Sequence, residues 1–138
     1  MRFMVIVKGS DRYEAGELPS KKLLTDMGKF NEELAKAGVI EAGEGLQPSR
    51  KGARVRFKAG KTSVTDGPFS EAKELVGGFW IWKVASKAEA IEWAKRIPGA
   101  DNETVEVRQV MDFSDFPEDI QRKASGPKDM QNPNRKTA

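Results

Sequence analysis

Hydrophobic and polar positions follow strand-like patterns in four parts of this chain. Residues 2–8 (RFMVIVK) and 77–84 (GGFWIWKV) are short runs rich in β-branched and aromatic side chains, which is typical of buried strands. Residues 104–111 (TVEVRQVM) alternate between apolar and polar side chains and predict a last strand. Residues 39–49 (VIEAGEGLQPS) begin like a strand and then become rich in glycine, so we expect this strand to fray into a loop.

Two other segments have the spacing of amphipathic helices. The first begins at Pro19-Ser20 and ends at Gly38, a glycine in the usual C-terminal position. Its apolar face consists of Leu23, Met27, Phe30, Leu34 and Ala37. Residues 86–89 (SKAE) form a capping box for the second helix. The predicted buried stripe of that helix consists of Ala90, Ile91, Ala94 and Ile97.

A β-hairpin is predicted over residues 53–66 (ARVRFKAGKTSVTD), with Gly60 at the turn, whereas residues 9–20 have the Gly, Asp and Pro content of a loop. Three basic residues, Arg54, Arg56 and Lys58, share one face of the hairpin, either as a solvated edge or as a clamp for an anionic ligand. The order of elements is strand-helix-strand, hairpin, strand-helix-strand. This order predicts an α+β, ferredoxin-like fold of two βαβ units with an inserted β-hairpin.

The composition excludes several kinds of site. The chain contains no cysteine and no histidine, which removes thiolate nucleophiles, Ser-His-Asp triads and the commonest zinc ligand. Any catalysis would have to use carboxylates, lysine, tyrosine, hydroxyl groups or backbone amides. Acidic clusters with metal-ligand spacing are not found in the sequence, so we expect neither a metal site nor a cofactor.

Charge is concentrated near the end of the chain. Residues 122–138 contain five basic residues and one acidic residue, a charge of +4, so the other 121 residues carry −1 of the net +3. We therefore predict a folded domain over residues 1–116 and a basic, flexible C-terminal tail over 117–138. A nearly neutral folded body argues against a nucleic-acid partner. The apolar run at the start is too short for a signal segment or a membrane span, so a cytoplasmic location without membrane contact is expected.

The stretch TDGPFS (65–70) allows two interpretations. In the first, Asp66, Gly67 and Pro68 only shape a turn, and Phe69 packs as its anchor. In the second, Asp66 faces a cleft as a hydrogen-bond acceptor or general base, and Gly67 lets a ligand approach the backbone closely. Asp66 is accordingly the candidate catalytic residue.

The stretch GEGLQPS (43–49) also allows two interpretations, a strand bulge with a solvated acid or the mouth of a binding cleft. In the second interpretation, Glu44 and Gln47 lie beside Asp66. No lysine-serine or lysine-threonine pair follows the glycines, so nucleotide binding at this motif is rejected. The candidate ligand-binding residues from both stretches and the neighbouring strand are Glu44, Gly45, Gln47, Gly67, Pro68, Phe69 and Trp80.

These motifs resemble those of the YCII-related, or DGPF-domain, family over roughly residues 1–113. The resemblance is carried by GEGLQPS (43–49), VTDGPFSEAKELVGGFWIW (64–82), AIEWAKRIP (90–98) and VEVRQV (105–110). It implies a dimeric α+β barrel, in which two subunits join their sheets around a shared cleft. It implies no assigned activity, although some members are linked to extracytoplasmic-function sigma factors.

Two departures from the family bear on catalysis. A histidine-aspartate pair has been proposed as the active site of the YCII-type branch, but this chain has no histidine. Some DGPF relatives carry histidine in the G-L-x-P motif, where this chain has Gln47. Glutamine donates and accepts hydrogen bonds but does not exchange protons near neutral pH. The resemblance is therefore compatible with a site that binds and has lost its acid-base role.

Apolar residues on both faces of the predicted sheet favour a homodimer, because only two helices are predicted to cover it. In strand 77–84, Phe79 and Ile81 alternate with Trp80 and Trp82, which predicts packing in the core or between subunits. We expect a protein that binds a small polar ligand in a dimer cleft, with or without a minor enzymatic activity. The alternative is a non-catalytic accessory protein linked to extracytoplasmic-function sigma factor signalling.

Overall fold

The computed structural model describes residues 1–70, 74–100 and 103–123. Six strands and four α-helices occupy these ranges. In chain order they are β1 (Arg2–Lys8), α1 (Asp11–Glu14), α2 (Lys21–Lys36), β2 (Ile40–Gly45), β3 (Ala53–Lys58), β4 (Lys61–Asp66), β5 (Val76–Lys83), α3 (Lys87–Ala94), β6 (Val105–Gln109) and α4 (Glu118–Lys123).

Four of the strands form one sheet in the order β2-β5-β1-β6, in which every neighbouring pair is antiparallel. The strands of each βαβ unit are therefore separated by a strand of the other unit. This split arrangement is the ferredoxin-like topology, so the predicted fold is confirmed. The predicted hairpin is also confirmed, because β3 and β4 form a separate two-stranded sheet, hereafter called the ribbon.

The hydrophobic core lies between one face of the sheet and the helices α2 and α3. Trp82, Phe3, Leu34 and Val5 are its largest fully buried side chains. Phe30 of α2 meets the rings of Trp80 and Trp82 edge to face, with centroids 6.0 and 6.2 Å apart. Such aromatic contacts stabilise the core in addition to the burial of the ring surfaces. Within the described residues, no helix packs on the other face of the sheet.

Helix α2 begins and ends as the sequence predicts. The Ser20 hydroxyl accepts a hydrogen bond from the Leu23 amide at 3.1 Å, which satisfies one of the free amides of the first turn. Gly38 follows the helix with a φ of +71°, a conformation that favours glycine. Phe30 and Leu34 of the predicted apolar face are buried, whereas Ala37 is exposed.

Helix α3 differs from the prediction in two details. The Ser86 hydroxyl accepts from the Glu89 amide as expected, but the Glu89 carboxylate accepts from the amide of Ala85 and not from that of Ser86. Ile91 was predicted to be buried, yet it is 37% exposed. Trp93 packs against the core instead, and its ring reaches Phe30 at a centroid distance of 6.4 Å.

Two loop assignments also need correction. Residues 9–20 contain the short helix α1, whose first turn is capped by the Ser10 hydroxyl accepting from the Tyr13 amide at 3.2 Å. The segment predicted as a flexible tail begins with the exposed helix α4. Residues 124–138 lie outside the described ranges, as do residues 71–73 of the charged turn after TDGPFS, so the flexibility of the tail stays a prediction. No helix in the described ranges is long and apolar enough to cross a membrane.

Candidate functional site

Three loops meet at one end of the four-stranded sheet. The loop with α1 follows β1, residues 46–52 follow β2, and the described residues 67–70 and 74–75 lie between β4 and β5. Backbone hydrogen bonds join them to the sheet, from the Leu46 amide to the Gly77 carbonyl at 2.9 Å and from the Gly9 amide to the Leu75 carbonyl at 2.7 Å. The antiparallel order of the strands therefore brings GEGLQPS and TDGPFS to the same end of the sheet.

Ser49 connects all three loops. Its backbone amide donates to Glu14 Oε1 at 3.0 Å, and its hydroxyl donates to Glu14 Oε2. The same hydroxyl oxygen accepts a hydrogen bond from the Phe69 amide at 3.0 Å. One serine side chain thus joins α1 to the TDGPFS loop, and we call Glu14, Ser49 and Phe69 the loop clamp.

The clamp favours the ionised form of Glu14. The two donors of Ser49, hydroxyl first and amide second, hold the pKa of the Glu14 carboxyl below its ordinary value of 4.5. A lowered pKa in the folded state stabilises the fold above about pH 4.5, and this contribution is lost as the pH falls through the lowered pKa. The carboxylate therefore acts as a hydrogen-bond acceptor in the clamp, and its lowered basicity makes it a poor general base near neutral pH.

Tyr13 lies beside the clamp and stays neutral at physiological pH. Partial burial, followed by the neighbouring Glu14 carboxylate, raises the pKa of the Tyr13 phenol above its ordinary value. A hydrogen bond with the backbone of Leu46 acts in the opposite direction but is the smaller effect. The half-buried phenol thus places a neutral polar group next to the loop clamp.

Gly67 is where the two motif loops touch. Its amide donates to the Gly52 carbonyl at 3.0 Å. A Cβ atom built on Gly67 would lie 1.8 Å from the Ser49 carbonyl oxygen, far inside van der Waals contact. Any other residue at this position would push the backbones of the two loops apart.

The side chain of Arg54 stacks on the ring of Phe69. The guanidinium carbon of Arg54, at the base of the ribbon, lies 3.8 Å from the ring centroid. Stacking of this kind holds an arginine side chain while its donors remain able to meet an anion. Arg54 therefore connects the ribbon to the TDGPFS loop. The predicted basic face of the hairpin thus meets this loop through Arg54.

The structure brings some of the predicted ligand-binding residues together. Gly67 and Phe69 lie against the loop that carries Gln47, through the contacts of Ser49. Pro68 and Gln47 are exposed in these loops, and Gly45 ends β2 immediately before them. These five residues belong to one region.

Two other predicted residues, Glu44 and Trp80, lie on opposite faces of the sheet. Glu44 pairs with Phe79 and is exposed on the face without helices. Trp80 is 6% exposed in the core, where its Nε1 donates to Asn31 Oδ1 at 2.9 Å. The Trp80 ring also leaves no room for a side chain at position 43, since a Cβ on Gly43 would lie 2.7 Å from Trp80 Cδ1.

Asp66 ends β4 opposite Ala53 and is exposed. The Phe69 amide, three residues on, donates to Ser49 and not to the Asp66 carboxylate. Within residues 1–70, 74–100 and 103–123, no hydrogen bond or ion pair involves that carboxylate. The Asp66 carboxylate therefore does not cap the turn through the Phe69 amide. That Asp66 faces a binding cleft stays a prediction.

Sequence reasoning did not single out Tyr13, Glu14 and Ser49. A signal was available for Ser49, which closes the GEGLQPS motif, and for α1, because Ser10 and the following acidic residues are typical of a helix start. The contact between Glu14 and Ser49 joins positions 35 residues apart and depends on the folded loops. In the described part of the chain, no group of three or more acidic side chains could hold a metal ion.

Removing the Ser49 hydroxyl is expected to destabilise the protein measurably. In Ser49→Ala, the half-buried Phe69 amide loses its acceptor, which typically costs about 1–3 kcal/mol, and the Glu14 carboxylate loses one of its two donors. For a domain of this size we expect the melting temperature to fall by roughly 4–12 °C, measured by circular dichroism at pH 7.

The control for this change is Ser63→Ala on the exposed strand β4, which should alter the stability by less than about 0.5 kcal/mol. The difference between wild type and Ser49→Ala should shrink as the pH falls through the lowered pKa of Glu14. Equal stability of the two serine variants at pH 7 would show that the clamp does not hold the loops.

Comparison with known proteins agrees with this architecture. The pattern of the YCII-related domain matches residues 1–114, which include the whole four-stranded sheet and all three loops. An uncharacterised protein of Rhizobium meliloti (strain 1021) is 32% identical over 84 residues, which cover 61% of this chain and 68% of that protein. The domain pattern ends before α4. The chain therefore belongs to the YCII-related domain family.

Proposed function

We propose that this YCII-related protein binds a small polar ligand at the end of the sheet where the GEGLQPS and TDGPFS loops meet. One observation carries the proposal, the tying of both loops to α1 by the Ser49 hydroxyl. A turn that served only to connect two strands would not need a half-buried carboxylate and serine from two other loops. Loops held on a rigid sheet are a common place for binding residues.

The polar groups around the clamp define the class of ligand. The Tyr13 phenol and the Gln47 amide offer donors and acceptors, and the guanidinium of Arg54 offers donors to an anionic group. Within the described residues, Arg54 makes no ion pair with a carboxylate, so its charge is available. A small ligand with a carboxylate or phosphate group and further hydrogen-bonding groups fits this set.

A second copy of the chain completes the proposed cleft. Met4, Ile6, Phe79 and Ile81 lie on the face of the sheet that no helix covers in the described part of the chain. Burial of this apolar surface against a second subunit would be favourable. In solution we therefore expect twice the chain mass of 15.3 kDa by light scattering.

The proposed role of Asp66 in ligand binding is tested by its own variant, independently of Arg54. In the proposed site, Asp66 accepts a hydrogen bond from the ligand or acts as a base in a minor enzymatic step, because its carboxylate is exposed next to Gly67. Asp66→Asn keeps the shape and removes the charge. We expect this variant to lose ligand binding while its melting temperature stays within about 2 °C of wild type.

A thermal-shift screen tests the proposal, with small carboxylic acids, amides and phosphate esters as probes. Compounds that stabilise the wild type should bind Arg54→Ala at least about 10-fold more weakly, since a hydrogen bond to a charged group contributes roughly 1.5–3 kcal/mol. The matched control is Arg56→Ala, two residues along the same face of the ribbon. Its affinity for the same compounds should change by less than about 3-fold.

Equal weakening in both arginine variants would point to general charge attraction and would contradict a site at Phe69. The alternative role, as an accessory of extracytoplasmic-function sigma factor signalling, draws on the family resemblance alone. No contact among the described residues favours that role over ligand binding.

A further inference from the structure

The ribbon concentrates the positive charge of the folded part of the chain. Residues 50–61 contain six basic residues and no acidic residue. Because residues 1–121 carry −1 in total, the rest of that range carries −7. Three cations of the ribbon, Arg56, Lys58 and Lys61, form no ion pair within the described residues. A surface of this kind attracts a negatively charged partner.

Cations and apolar side chains lie on opposite faces of the ribbon. Along β3, the cations occupy positions 54, 56 and 58, and the apolar side chains occupy positions 55 and 57. On the apolar face, Val55 and Phe57 of β3 and Val64 of β4 are 53%, 79% and 67% exposed. A nucleic-acid strand held by the cations would leave this apolar face in water. A partner that uses both faces must therefore bind at an edge of the ribbon.

The outer edge of β3 offers unpaired backbone groups. The Gly67 amide donates to the Gly52 carbonyl at 3.0 Å, so these two residues form a hydrogen-bonded pair at the base of the ribbon. Hydrogen-bonded and non-hydrogen-bonded pairs alternate in an antiparallel ladder, so the amides and carbonyls of Val55 and Phe57 point away from β4. Within the described residues, no strand pairs with them. A row of such groups is a template for an added strand.

The alternation along β3 defines the chemistry of a strand that would add to it. Side chains on the same face of neighbouring strands have Cβ atoms about 4.5–5.5 Å apart. Acidic side chains at every second position of the added strand would therefore lie beside Arg56 and Lys58. Apolar side chains between them would lie beside Val55 and Phe57. The same edge of a second copy would instead bring like charges together, which is unfavourable.

We infer that the outer edge of β3 is a docking site for an extended segment of another protein in which acidic and apolar side chains alternate. The segment adds to the ribbon as a third strand, held by main-chain hydrogen bonds and selected by its side chains. Arg54 stacks on Phe69 and belongs to the proposed ligand site, so we assign the docking edge to residues 55–58. The inference goes beyond the proposed function and does not depend on it.

Fluorescence anisotropy with labelled peptides tests the docking edge. The probe is the peptide EVEIEVE, and its controls are KVKIKVK, with the opposite charge, and EEVIVEE, with the same composition but no alternation. The wild-type protein should bind EVEIEVE, and it should bind each control at least about 10-fold more weakly. Added salt should weaken the binding of EVEIEVE, because the side-chain contacts are exposed ion pairs.

Two proline variants distinguish the two edges of the ribbon. Val55→Pro removes an amide at the outer edge of β3, and Val64→Pro, at its cross-strand partner, removes one at the outer edge of β4. Neither amide belongs to the ladder between the strands, so the ribbon should persist, as checked in the 1H–15N spectrum. Val55→Pro should weaken the binding of EVEIEVE at least about 10-fold, and Val64→Pro by less than about 3-fold.

A charge reversal tests the side chains of the docking edge. Arg56→Glu should weaken the binding of EVEIEVE at least about 10-fold and strengthen that of KVKIKVK. Lys36→Glu, the same change in charge at an exposed position on α2, should alter both affinities by less than about 3-fold.

N-methylation of the peptide gives a result that does not depend on the folding of any variant. Only every second amide of an added strand faces its neighbour, so methylation of one alternate set should abolish binding and methylation of the other should change it by less than about 3-fold. Equal tolerance of both sets overturns the docking edge, as does equal binding of EVEIEVE and EEVIVEE.

Tighter binding of a thymidine oligonucleotide than of EVEIEVE would also overturn the docking edge and would assign the cations to a nucleic acid. The comparison of Arg54→Ala with Arg56→Ala uses small ligands and decides the proposed function separately.

Discussion

Replacing Gly67 with alanine is expected to destabilise the protein by about 3 kcal/mol, one of the two largest effects that we anticipate. The added Cβ would lie 1.8 Å from the Ser49 carbonyl oxygen and 2.5 Å from the Ser49 carbonyl carbon. Both are backbone atoms, so no rotation of a side chain relieves the clash. The GEGLQPS and TDGPFS loops would have to separate, and the hydrogen bond from the Phe69 amide to Ser49 would be lost with them.

Gly28→Ala is the matched control, with an expected change of opposite sign. Gly28 lies inside α2, where a Cβ would meet nothing within 4 Å. Alanine at such a position stabilises a helix by about 0.5–1 kcal/mol. Urea denaturation of both variants measures the free energies of unfolding. A Gly67→Ala protein as stable as wild type would mean that the two loops are not in contact.

Trp80→Ala is expected to have the largest effect, a loss of about 3–5 kcal/mol. The substitution would open a cavity beside Phe30 and Trp82 and leave Asn31 Oδ1 without its donor. Leu24→Ala on α2 is the control, because Leu24 is 57% exposed and its truncation should change the free energy of unfolding by about 0.5 kcal/mol or less.

The same experiment decides between two roles for Trp80. If this residue belongs to the core, as its burial and its bond to Asn31 indicate, Trp80→Ala will lower the urea midpoint strongly. A variant that keeps the wild-type midpoint and loses only ligand binding would instead support the ligand-binding role that we expected from the sequence.

The fold could be predicted because its signals are local. The helix α2 shows its face through Phe30 and Leu34, its start through Ser20 and its end through Gly38, all within one stretch. The strands are marked by alternation and by β-branched residues, and the hairpin by its turn glycine. Ile91 was misassigned because the buried stripe of α3 continues from Ala90 through Trp93, which reaches Phe30, and Ile91 lies beside that stripe.

The candidate site could be predicted only in part, because its bonds join distant segments. The motif loops were recognised, but Glu14 and Ser49 meet only after β1 and β2 have placed their loops at the same end of the sheet. Ser49 and Phe69 are joined across 20 residues for the same reason. Periodicity contains no information on such pairs. Arg54 likewise belongs to a regular alternating strand, and its stacking on Phe69 follows from the fold.

The most direct test of the proposed site is a map of ligand-induced shifts in the 1H–15N spectrum of the wild-type protein. The compounds that raise its melting temperature serve as probes. If these compounds bind at the loop clamp, the backbone amides of Glu14, Ser49 and Phe69 will be among those that shift most. Shifts confined to the open depression at the opposite end of the sheet, formed by Met1, Ala37 to Val39 and Lys83 to Ala85, would contradict it.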